Sequence, residues 1–146
     1  MSKNVKLKRG LSINLLGEAD KVYSSVKSHK SFALKPTDFH NLTPKLSVKI
    51  GDKVKSGSVV FFDKYNDKIN FCSPVSGEVT DIVRGAKRKI LEVLINAEEE
   101  IKYVSFPVLK STDLSREQII DNMLKGGVWP FIRQKPYDII ANPTDM

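Results

Sequence analysis

Few side chains in this sequence are of types that do chemistry, and their spacing assembles no catalytic set. There is one cysteine, Cys72, and two histidines, His29 and His40. A single cysteine closes no internal disulfide and builds no thiolate metal cluster. Cys72 stands between Phe71 and Ser73 in an alternating apolar stretch, where a small buried thiol in a reducing compartment is the expected reading. His40 lies in the loop from Asp38 to Pro44, and His29 between Ser28 and Lys30. Neither has a second histidine, cysteine or carboxylate at ligand spacing, so both read as solvated side chains. No GxGxxG dinucleotide fingerprint, iron–sulfur cysteine set or flavin-attachment threonine motif occurs. The residues by themselves therefore name no catalytic, cofactor-binding or metal-ligating position.

The elements that would carry any site come from a chain of 146 residues, enough for one ordinary domain or a small domain with an appendage. The formal net charge is +7, which raises nucleic acid, anionic lipid and acidic protein as partners. The 24 lysines and arginines are spread along the chain, and the two densest runs, Lys3 to Arg9 and Arg84 to Lys89, hold no aromatic. That favours a solvated basic surface over a nucleic-acid interface. Leu11 to Leu16 is too short and too broken by Ser12 and Asn14 for a signal peptide. The longest strictly apolar run, Val59 to Phe62, falls far short of the roughly 20 residues that span a bilayer.

The organising stretch runs from Val48 to Val83, with two glycine-punctuated turns, Gly51-Asp52-Lys53 and Ser73-Pro74-Val75-Ser76-Gly77, at corresponding points of two similar half-motifs. Two hairpins packed face to face would need this layout. Strands are expected at Leu11 to Leu15, Phe32 to Leu34, Leu46 to Ile50, Val59 to Phe62, Ile69 to Phe71, Val79 to Val83 and Ile90 to Ile95. A further short strand is expected from Ile101 to Phe106. Asp63 to Lys68 reads as a polar hairpin tip.

After Pro107 the character changes. Ser115 is a helix N-cap with Gln118 at the capping-box position, and Ile119, Ile120, Met123 and Leu124 share one face before Gly126-Gly127 stops the helix. A second short helix opens with Pro130, and Pro136 and Pro143 are expected to lead the chain away. The end at Asn142 to Met146 has no closing element and is read as part of a longer protein.

The half-motifs resemble the barrel-sandwich hybrid of biotinyl and lipoyl carrier domains, in which an exposed hairpin lysine bears the cofactor. That resemblance points to Lys64 or Lys68 as a modified lysine, the alternative function. Counting back from Pro74, however, the attachment position falls near Asn66, with no Met-Lys-Met or Asp-Lys-Ala triplet. The wider order of motifs runs from Lys8-Arg9-Gly10-Leu11 through the two half-motifs and Arg84-Gly85-Ala86-Lys87-Arg88. It closes with Leu114 to Gln118 and Gly127-Val128-Trp129-Pro130-Phe131-Ile132-Arg133-Gln134-Lys135-Pro136. This order resembles the N-terminal part of the A subunits of sodium-translocating NADH:quinone reductases, related to the C subunits of Rnf electron-transport complexes. The fold implied is mainly β with a helical tail, a barrel-sandwich hybrid over residues 1–104 and a helical connector over 105–146 leading to a Rossmann-like region. The function implied is that of a peripheral subunit on the cytoplasmic side of the bacterial inner membrane, serving assembly and the quinone-reducing end of a sodium pump. Its partners are the other subunits, which carry the flavins and the iron–sulfur centre. NADH and ubiquinone are substrates of the complex, and no cofactor belongs to this chain. Direct quinone binding would fall on Trp129 and Phe131, against their use as core residues.

Overall fold

The computed structural model describes residues 6, 16–25, 29–106 and 114–144, so the strand expected at Leu11 to Leu15 lies outside the described residues. Two antiparallel sheets face each other. The larger contains β1 (Ser31–Leu34), β3 (Lys53–Val54), β6 (Gly77–Arg84) and β7 (Ile90–Ala97) in the order β1-β7-β6-β3. The smaller orders β2 (Pro44–Leu46), β4 (Val59–Asp63) and β5 (Asn66–Cys72) as β2-β4-β5. Between them Val60, Phe61, Val79, Val93 and Ile95 are buried.

The continuous apolar run in β4 has a specific cause. Val59 pairs with Cys72 and Phe61 with Phe71, so Val60 is an extra residue on one strand. A bulge of this kind breaks the alternation of faces. Val60 and Phe61, adjacent in sequence, are consequently both buried. The Ser73–Gly77 turn is equally determined. Ser73 Oγ donates to the Val75 carbonyl at 2.6 Å, while Ser76 Oγ accepts from Lys102 N–H at 2.8 Å and donates to the Glu100 carbonyl at 3.2 Å. Both hydroxyls are buried, where an unpaired one would be costly. A Cβ on Gly77 would collide with the Asn96 carbonyl across the sheet.

Four expectations need correction. Leu46, Val48 and Ile50 do not form one strand: β2 ends at Leu46. Asp52 N–H donates to the Lys49 carbonyl at 3.2 Å, and the tight turn leaves Ile50 exposed. Residues 101–106 form no strand but bridge two loops, with Ser56 N–H donating to Lys102 O and Val104 N–H to Ser56 O, both at 2.9 Å. The hairpin tip is tighter than Asp63 to Lys68. Asp63 pairs with Asn66, leaving only Lys64 and Tyr65 in the turn. The tail carries the expected helix but does not lead away. Helix α1 (Arg116–Lys125) and a 3-10 turn (Trp129–Phe131) pack on β5, and β8 (Arg133–Gln134) turns back onto β9 (Ile139–Ile140).

Helix α1 begins and ends as its sequence dictates. Ser115 Oγ accepts from Gln118 N–H at 3.3 Å and Gln118 Oε1 from Ser115 N–H at 2.9 Å, a complete capping box. At the other end Val128 N–H donates to Met123 O at 3.0 Å and Gly127 N–H to Leu124 O at 3.2 Å. This is a Schellman closure with Gly127 in the left-handed region at φ 69°.

Candidate functional site: an aromatic cleft walled by the tail

Four phenylalanines from distant parts of the chain form a continuous series of rings. Phe61 of β4 stacks on Phe71 of β5 with centroids 4.6 Å apart. Phe71 meets Phe39 edge-on at 4.7 Å, and Phe39 meets Phe131 edge-on at 6.3 Å. The series runs from the core to solvent: Phe61 is 1% exposed and Phe131 72%. Beside it lies a mostly apolar cleft of about 200 Å³, closed further by Leu34, Pro74, Gly127 and Pro130, with Lys35 and Asp38 as its charged wall residues.

Each wall is held by local chemistry. Phe39 follows a 3-10 turn started by Pro36, with its own N–H donating to the Pro36 carbonyl at 3.2 Å. Arg133 fixes that loop to the tail. Its guanidinium sits 4.6 Å over the Phe39 ring and donates to the Asp38 carbonyl at 3.0 Å and the Asp138 carbonyl at 3.2 Å. The Asp138 carboxylate in turn accepts from Lys135 Nζ at 2.7 Å and lies 3.9 Å from both Arg133 and His40. The Lys135 hydrogen bond, aided by the charges of Arg133, Lys135 and His40, holds Asp138 below the usual carboxylate range.

Cys72 is half-buried on the cleft wall, and burial pushes its thiol up from the ordinary value, which disfavours the nucleophilic thiolate. A Cβ on Gly127 would stand 2.6 Å from Cys72 Sγ, so the tail crosses the sheet where only glycine fits. Trp129 is 1% exposed and donates its indole N–H to the Ala141 carbonyl at 2.7 Å. It is core, and the two aromatics expected from sequence part company: Phe131 reaches the cleft and Trp129 does not line it. His40 is exposed beside Asp138, and no group of three potential ligands occurs among the described residues. Lys64 occupies the β4–β5 tip, its ammonium 5.8 Å over the Tyr65 ring, whereas Asn66 is the first residue of β5 and Lys68 lies within that strand. Sequence reasoning missed Phe39 and Arg133 as site residues. Arg133 stands in the tail motif, but nothing local announces a partner 95 residues earlier.

The family described as the NqrA N-terminal barrel-sandwich hybrid domain matches residues 5–98. The chain belongs to this family. Residues 114–146 match the family described as the NqrA second alpha/beta domain. Proteins named as the A subunit of Na(+)-translocating NADH-quinone reductase are similar throughout. The one from Pseudomonas aeruginosa is 34% identical over 95% of this chain and 32% of its own length. Those from Marinomonas sp. and Vibrio vulnificus are 32% and 33% identical over 90% and 91% of this chain, and 30% of theirs. The chain thus spans about a third of the length of the curated relatives it matches. The barrel-sandwich hybrid expected from the half-motifs is the family's fold, and the tail motif now has physical content: Gly127 for clearance, Trp129 for the core, Arg133 for the clasp.

Proposed function

We propose that this chain serves as the N-terminal part of the A subunit in a sodium-translocating NADH:quinone reductase, where it docks that subunit onto the rest of the complex. The observation behind this reading is the pair of family matches, in the order of first and second NqrA domains. Quinone reduction and sodium export would belong to the whole assembly, with flavins and an iron–sulfur centre in other subunits. The chain would sit peripherally on the cytoplasmic face. No helix among the described residues is long and apolar enough to cross a membrane. Deleting residues 1–104 from the full-length protein is expected to abolish assembly. Phe131→Glu, at an exposed position, should weaken it with the fold intact. A complex that assembles and pumps normally with both changes would overturn the docking role.

The cleft supports a second role within the same complex. A planar apolar ring fits a mostly apolar crevice edged by Phe39 and Phe131, and the relatives' name supplies a quinone. In the assembled complex, Phe131→Ala should raise KM for quinone roughly tenfold, the worth of one aromatic contact. NADH oxidation by an artificial acceptor should not change. An unaltered KM removes this role and leaves docking untouched.

A further inference from the structure

The hairpin joining β6 and β7 breaks a local rule. Lys89 N–H donates to the Ala86 carbonyl at 3.1 Å and Gly85 N–H to the Lys89 carbonyl at 2.8 Å, so Ala86 to Lys89 is a tight turn. Its central residues are Lys87, at φ 54° and ψ 31°, and Arg88, at φ 61°. Two successive left-handed residues make the mirror-image turn that suits hairpin twist, and its ordinary occupants are Asn-Gly or Asp-Gly. A residue with a Cβ is disfavoured there by contact with its own carbonyl.

Nothing in the packing offsets that cost. No residue of the turn is buried. Arg84, Lys87, Arg88 and Lys89 are exposed, and none has an ion-pair partner among the described carboxylates. Among the described residues the Arg84 guanidinium donates to the Arg88 carbonyl alone, at 3.2 Å. Stability alone would place Asn-Gly where Lys-Arg stands. A local rule broken without an evident structural gain is a place to look for function, and what the two residues share is positive charge.

The geometry points to an anionic phospholipid headgroup surface as what this tip meets. Protein interfaces draw most of their energy from buried aromatic or aliphatic anchors. This tip has only Ala86 to offer between its cations. A charged bilayer needs no anchor, since it attracts solvated lysines and arginines across a Debye length of about 8 to 10 Å.

Sedimentation of the purified protein with phosphatidylcholine vesicles, with and without phosphatidylglycerol, tests this directly. Binding is expected only with phosphatidylglycerol, and should fall as salt rises. The double variant Lys87→Asn/Arg88→Gly gives the turn its preferred pair. Its Tm should rise while vesicle affinity falls about 25-fold, at roughly fivefold per cation. Removing the same charge with Lys64→Gln/Lys68→Gln should leave affinity within about twofold, since only cations near the lipid contribute. Three results overturn the proposal: no binding by the parent protein, binding indifferent to lipid charge, or equal losses in the two variants. An acidic protein surface would then remain as the tip's partner.

Discussion

At the scale of single residues, Gly127 meets two demands that each exclude a side chain. Its φ of 69° lies in the left-handed region, and a Cβ there would stand 2.6 Å from Cys72 Sγ and 2.9 Å from Cys72 Cβ. Gly127→Ala should therefore destabilise the protein by about 2 kcal/mol or more, read by urea unfolding. Adding Cys72→Ala removes the sulfur but not the Cβ, so the double variant should recover part of the loss. Strictly additive effects would show that the two residues do not press on each other. The same contact buries Cys72 under the tail, and that burial pushes its thiol up from the ordinary value, which disfavours the thiolate.

Among elements, the decisive junction is the clasp between the loop carrying Phe39 and the β8–β9 hairpin. Arg133 spans it, and Asp138 holds Lys135 and faces Arg133 and His40. Asp138 titrates below its ordinary value in the folded protein. A carboxylate with a depressed folded pKa binds protons more readily when unfolded. Its contribution is thus full above the unfolded value, about 3.9, and is lost as pH falls through the folded one. Asp138→Asn should lower Tm slightly at neutral pH, and the difference from the parent should vanish in acid. A difference that persists unchanged to low pH would assign the effect to geometry and not to charge.

For the molecule as a whole, the tail completes the core. Leu124, Trp129 and Ala141 are buried with the sandwich residues in one cluster. Trp129→Phe keeps most of the ring but leaves the Ala141 carbonyl without its indole donor. It should cost about 1 to 3 kcal/mol, measured by thermal or urea unfolding. A neutral substitution would mean that water or another donor replaces the indole. This coupling also has a functional side. The aromatic cleft has one wall from the sandwich and one from the tail, so changes in the tail alter the site without touching the sheets.

The sequence by itself determined the elements whose signals are local. Alternation in 69–71, the Ser115–Gln118 box and the Gly126-Gly127 stop depend on neighbours within a few residues, and such signals survive folding unchanged, whereas in 79–83 a register shift between Val79 and Asp81 breaks the alternation. It also determined the barrel-sandwich hybrid, through turn residues whose roles the structure makes explicit in Ser73, Ser76 and Gly77. The tertiary structure alone decided everything that rests on meetings between distant residues. The bulge at Val60 appears only against β5. Residues 101–106 look like a strand until they are seen spent on the Ser56 loop. Phe39 and Phe131 come from opposite ends of the described chain, and no periodicity links them. The return of the tail is the clearest case: Pro136 and Pro143 read as an exit, but burying Trp129 with its N–H satisfied required the chain to come back to Ala141.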